Sequence, residues 1–178
     1  MVRLFVGLAL PEAHRHRLSL IGHGIEGARW VAPENLHVTL RFIGEVDEDV
    51  AEDLTQALGH VAVEPFAVTI KGVGAFGHPP HALWAGVEDD PQGALAQLHA
   101  NVESALVREG LEPEHRKYTP HVTLARFRKV HMSRVARFME SSGGLALEPF
   151  DVTGFTLFQS HLHPEGAQYQ RITEFYFA

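Results

Sequence analysis

His37-Val38-Thr39-Leu40 returns 84 residues later as His121-Val122-Thr123-Leu124. A second pair keeps that offset: Glu64-Pro65-Phe66-Ala67-Val68-Thr69 and Glu148-Pro149-Phe150-Asp151-Val152-Thr153 are also 84 residues apart. One four-residue echo arises by chance. Two at a single offset point to a duplicated unit of about half the chain, with approximate half-repeats 1–80 and 81–178. Around the echoes, hydrophobic spacing and turn residues predict strands over 3–10, 36–43, 66–73, 82–87, 121–127, 150–158 and 171–177. They predict helices over 12–24, 47–61, 91–109 and 133–141, and a loop over 74–80. Helices between strands also suit a doubly wound α/β sheet, but duplicated β-rich halves favour an α+β fold. The expectation is two pseudo-symmetric lobes in one bilobal domain, 1–178, each an antiparallel-rich sheet with helices on its outer side, facing across a central groove.

Successive side chains of a strand point to opposite faces. His37 therefore shares a face with Thr39, and Val38 with Leu40; His121 and Thr123 repeat the pattern. The apolar pair can enter a core while the polar pair lines a cleft. If an approximate two-fold relates the halves, two imidazoles and two hydroxyls converge on one small volume. That set suits phosphodiester cleavage by acid–base catalysis. One histidine takes a proton from the attacking water, and the other gives one to the leaving oxygen. Imidazole serves both roles because its unperturbed pKa is about 6.5, and a positioned acid or base contributes roughly 10²–10⁴-fold in rate. The hydroxyls can donate to the non-bridging phosphate oxygens. This chemistry needs no metal and no cofactor. A lone His-x-Thr on a strand is more often structural; two at the register of a wider repeat are better explained by a shared site.

Bulk properties narrow the classes. The chain has 178 residues, 45% hydrophobic and 21% charged, enough to bury a core without staples. The absence of cysteine excludes disulfides, thiolate catalysis and Cys-based zinc sites. A formal net charge of −7 argues against wrapping long nucleic acid, although not against gripping one terminal phosphate. The apolar run 4–10 is too short to span a bilayer and is followed by a poor cleavage site, so it reads as a first strand. The expectation is a cytoplasmic, monomeric protein with no membrane association.

The paired motifs resemble the signature of the two-histidine (2H) phosphoesterases, and within them the RNA 2′,3′-cyclic phosphodiesterases, also called 2′-5′ RNA ligases. The likeness extends to Trp30-Val31-Ala32-Pro33-Glu34-Asn35-Leu36-His37, Leu40-Arg41-Phe42-Ile43-Gly44-Glu45-Val46, Leu83-Trp84-Ala85-Gly86-Val87, Pro120-His121-Val122-Thr123-Leu124-Ala125-Arg126 and Leu157-Phe158-Gln159-Ser160, and the resemblance as a whole covers nearly the whole chain. The resemblance implies a bilobal α+β fold and hydrolysis of an RNA 2′,3′-cyclic phosphate to a 2′-phosphate. In some members it also implies joining of RNA ends through a reversible 2′-5′ linkage. It makes His37 the acid for the departing 3′ oxygen, His121 the base for water, and Thr39, Thr123 and Arg126 the substrate-binding set. The partners it implies are RNA ends or small nucleotides bearing a 2′,3′-cyclic phosphate. A phosphodiesterase of small cyclic nucleotides and a non-catalytic nucleotide-binding module in the same groove remain open as alternatives.

Several residues fit less simply. Strict alternation turns Arg126 away from His121, so a role there requires the strand to end or twist first. Arg41 matches the face of His37 by parity and reads either as a ligand contact or as a solvated strand end. Phe5, Phe42 and Trp30 offer stacking surfaces, with core packing the commoner use. The 13 histidines invite a metal reading, but no His-Glu-x-x-His motif occurs. His161-Leu162-His163 reads as loop, and His14 and His16 as the solvent face of a helix. Arg126-Phe127-Arg128-Lys129 is locally basic in an acidic chain.

Overall fold

In the computed structural model, which describes residues 1–177, the echoed segments pair with one another. Val38 sits opposite Val122 and Ala67 opposite Asp151, each match joining equivalent positions of the two echoes in an antiparallel ladder. The elements in chain order are β1 (Val2–Ala9), α1 (Glu12–Ile21), β2 (Arg29–Trp30), a 3-10 turn (Pro33–Asn35), β3 (His37–Val46) and α2 (Glu48–Leu58). They continue with β4 (Phe66–Phe76), β5 (Ala82–Asp90), α3 (Ala94–Arg108), β6 (His121–Arg126), α4 (Met132–Ser142), β7 (Phe150–Val152), β8 (Gly154–His163) and β9 (Gly166–Tyr176). Helices α2 and α4 start and end at positions 84 apart.

The strands form one antiparallel sheet in the order β7-β4-β5-β6-β3-β1-β8-β9, with β2 paired on β6. The fold is α+β with two pseudo-symmetric lobes, joined where β3 meets β6. The lobes exchange strands. The lobe of β3 and β1 is completed by β8 and β9, and the lobe of β6 and β5 by β4 and β7. The sequence boundary near residue 80 is thus not the boundary in space, and each lobe needs strands from both halves.

Burial explains why the sheet has two unlike faces. Val38, Leu40, Val122 and Leu124 are buried on one face. The same core takes Leu18 of α1, Leu54 and Leu58 of α2, Leu95, Leu98, Val102 and Leu106 of α3, and Val135 and Phe138 of α4. Each such side chain contributes about 1.5–3 kcal/mol by leaving water. The other face carries the polar positions. Two glycines allow close packing on it. A Cβ at Gly7 would lie 2.8 Å from the carbonyl oxygen of Val38, and one at Gly74 would strike the Trp84 ring at 2.1 Å.

Some expected elements differ. The segment expected as a loop from 74 is still strand as far as Phe76. The strand expected over 150–158 is two strands, because β7 pairs with β4 and β8 crosses to β1. His161-Leu162-His163 is not loop but the end of β8, paired into the β8–β9 hairpin. Among the described residues no helix is long and apolar enough to cross a membrane.

Candidate active site

An antiparallel register centred on Val38 and Val122 matches the flanking residues crosswise, His37 toward Thr123 and Thr39 toward His121. All four lie on the face opposite the core, and the two imidazoles are diagonal neighbours, a placement that sets residues about 7–8 Å apart. The interval leaves room for a phosphate between them.

Each ring is oriented from behind in the same way. Nδ1 of His37 donates to the carbonyl of Asn35 at 2.7 Å, and Nδ1 of His121 to that of Thr119 at 2.8 Å. A carbonyl only accepts, so Nδ1 carries the proton in each ring and Nε2 presents its lone pair. Nε2 of His37 accepts from the Thr39 hydroxyl at 2.8 Å. Aromatic side chains hold the rings sideways. Phe5 and Tyr169 lie 4.7 and 5.3 Å from the His37 ring, and Phe76 meets His121 edge-on at 4.9 Å. Burial lowers the His37 pKa below its ordinary 6.5; the hydrogen bond to Asn35 opposes this, and the charges of His121 and Arg126 add to it.

Matching irregularities bring Arg126 and Phe42 onto the site face. Gly7 pairs with Thr39 and Val6 with Arg41, which leaves Leu40 without a partner on β1. Trp84 pairs with Thr123 and Leu83 with Ala125, which leaves Leu124 without one on β5. After each β-bulge the alternation resets. Leu40 and Arg41 are both buried, as are Leu124 and Ala125, and the next residues, Phe42 and Arg126, turn outward. A cavity of about 350 Å³ is lined by His37, Thr39, Thr123, Arg126, Phe5, Phe42 and Tyr169. Phe42 is 44% exposed there, with the Arg3 guanidinium 5.1 Å above its ring. Phe5 is buried and forms the wall behind His37, whereas Trp30 turns to the core against Phe138.

Arg41 has neither of its expected positions. The bulge turns it inward, where it is 8% exposed and ion-paired to Glu103 of α3. It also donates to the carbonyls of Phe42 and Glu112. Burial would raise the Glu103 carboxyl, but Arg41 and the Glu114 amide hold it below the usual range. Beside this clamp the Tyr118 hydroxyl donates to the Thr39 carbonyl at 3.0 Å, and burial pushes the phenol up. Tyr118 stacks on His99 at 4.0 Å. The strand bearing His37 and the segment leading to His121 are thus tied together from behind.

Tyr169 was not foreseen, because the hairpin that brings it to His37 has no short sequence motif. His14 also departs from expectation. It is half-buried against Phe150, and its Nε2 donates to the Glu148 carbonyl, while His16 is exposed. Among the described residues no three His, Asp or Glu side chains are grouped to hold a metal ion.

The chain is similar to known proteins over most of its length. Residues 16–164 match the model of the 2′-5′ RNA ligase superfamily. The RNA 2′,3′-cyclic phosphodiesterase of Aeropyrum pernix is 34% identical over 86% of this chain and 89% of its own length. That of Archaeoglobus fulgidus is 31% identical over 98% and 99%. The crystal structure of E. coli LigT complexed with 3′-AMP superposes with a TM-score of 0.80 at 26% identity, covering 99% of this chain and 98% of LigT. The chain belongs to the 2′-5′ RNA ligase superfamily.

Proposed function

We propose that this chain is an RNA 2′,3′-cyclic phosphodiesterase that opens cyclic phosphate ends to 2′-phosphates. The observation that carries the reading is the crosswise square of His37, Thr123, Thr39 and His121, with both Nδ1 atoms held by backbone carbonyls. Water attacks the phosphorus opposite the 3′ oxygen. His121 takes a proton from the water as the new P–O bond forms. The P–O3′ bond breaks, and His37 delivers a proton to the 3′ oxygen. Thr39, Thr123 and Arg126 hold the non-bridging oxygens as their charge grows. The two rings then exchange protons with solvent to restore their starting states.

Burial leaves His37 neutral in the free site near neutral pH. A cyclic phosphate carries one negative charge, and its arrival favours the imidazolium, so substrate binding loads the acid. A 5′-hydroxyl RNA end taking the place of water gives a 2′-5′ linkage by the same proton transfers. No step in this scheme uses a metal ion or a cofactor. The reading treats residues 1–178 as one bilobal domain of half-repeats 1–80 and 81–178, working as a monomer in the cytoplasm on RNA ends.

The test is incubation with an oligonucleotide ending in a 2′,3′-cyclic phosphate in the presence of EDTA, followed by product analysis. The expected product is the 2′-phosphate, formed at the same rate with and without chelator. A 3′-phosphate, or activity that returns only with added metal, contradicts the scheme.

A further inference from the structure

Arg29 lies directly opposite Arg126, where β2 pairs with β6. Directly opposed residues share a sheet face, and the neighbouring residues show which face this is. Trp30 points into the core against Phe138, while Val31, one position further along, lines the cavity with His37 and Thr123. Arg29 is therefore on the groove side, next to Arg126, which lines the cavity with His37 and Thr123. Both arginines are exposed, and among the described residues neither has a carboxylate within 4.0 Å. Like charges directly across a ladder are unfavourable, and the chain has a net charge of −7 with acids to spare. An unneutralised Arg–Arg pair in such a chain fits an anionic ligand. The exposed Arg128 and Lys129 continue the basic rim just past β6.

We propose that Arg29, beside Arg126, binds the phosphate on the 5′ side of the terminal nucleotide. The groove would then be built for the end of an RNA strand rather than for a bare cyclic mononucleotide. This inference rests on the proposed phosphodiesterase activity. Arg126 serves the cyclic phosphate and Arg29 the next phosphate along the chain. Arginine suits this because its planar fork matches phosphate oxygens in pairs. One such contact also fits the acidity of the chain, which opposes long nucleic acid but not a two-phosphate footprint.

The experiment compares three substrates: adenosine 2′,3′-cyclic phosphate, its 5′-phosphorylated form, and a tetra-adenylate ending in a 2′,3′-cyclic phosphate. Wild type, Arg29→Gln and Arg29→Lys are assayed across a salt series, with thermal melts alongside. In Arg29→Gln the ratio of kcat/KM on the tetra-adenylate to that on the bare mononucleotide falls about tenfold, through KM, as expected for loss of a charge-assisted hydrogen bond. The salt slope for the tetra-adenylate flattens by about 0.7, the value for one single-strand phosphate contact. Arg29→Lys recovers most of the ratio. A matching fall on the 5′-phosphorylated mononucleotide assigns the site to that phosphate in either form, and a fall on the tetra-adenylate alone assigns it to the phosphodiester. An unchanged ratio and slope overturn the inference, as does an equal loss on all three substrates. Wild-type protein that hydrolyses none of them removes the phosphodiesterase reading itself, not merely the subsite.

Discussion

Replacing Arg41 by methionine tests the buried clamp behind the site. The side chain is 8% exposed, and its guanidinium reaches Glu103, the Phe42 carbonyl and the Glu112 carbonyl. Methionine keeps much of the stem but leaves a carboxylate and two carbonyls without their donor. Removing one partner of a buried ion pair costs about 3–5 kcal/mol. Water still reaches Glu103, which is 18% exposed, so the lower end, about 3 kcal/mol, applies. A chain of this length loses roughly 2–4 °C per kcal/mol, so the midpoint should fall by about 6–12 °C. Arg41→Met with Glu103→Gln should melt above the single Arg41→Met variant, because no charge is stranded. The assay is thermal unfolding followed by circular dichroism. A fall of less than about 2 °C in the single variant, with no recovery in the double, would show that Arg41 is a solvated strand end after all.

Three further outcomes follow from the site geometry. Thr39→Val removes a phosphate donor and the hydroxyl that meets Nε2 of His37, and should lower kcat about 10- to 100-fold while the fold melts normally; an unchanged kcat would detach Thr39 from the reaction. Arg126→Met should weaken kcat/KM by a similar factor, and Arg126→Lys should recover only part of it, because an ammonium lacks the planar fork; full recovery in lysine would reduce Arg126 to a point charge. The lowered pKa of His37 also sets a stability slope. Between that value and 6.5 the unfolded chain binds more protons, so stability falls as pH drops through 6.5 and levels off below the folded-state pKa. His37→Asn should remove that part of the slope in melts across pH 4 to 8, and an identical slope would place the titration elsewhere.

The paired motifs and the shared offset make much of this legible in the sequence itself. Duplication and strand alternation were enough to put His37, Thr39, His121 and Thr123 on polar faces and to expect the lobes to meet. Arg126 and Arg41 mark where that reasoning stopped. Parity puts Arg126 on the core face and Arg41 on the site face, and a bulge reverses both. A bulge is one residue's slip against a partner strand, and its signal lies in the pairing, not in either strand alone. The repetition of the slip in both halves shows that it belongs to the duplicated unit. The exchange of β4 and β8–β9 between lobes was equally hidden, since a periodic strand does not name its neighbour. Tyr169 reaches His37 only through that exchange.

The central claim is that His37 and His121 act as a proton-transferring pair, and His37→Ala, His121→Ala and the double variant test it most directly. Each should be assayed on an oligonucleotide 2′,3′-cyclic phosphate, with a thermal melt on the same sample. The account predicts folded proteins in which either single change nearly abolishes turnover and the double is little worse, because residues acting as a unit are strongly non-additive. A folded His121→Ala protein that still yields 2′-phosphate at the wild-type rate would contradict it.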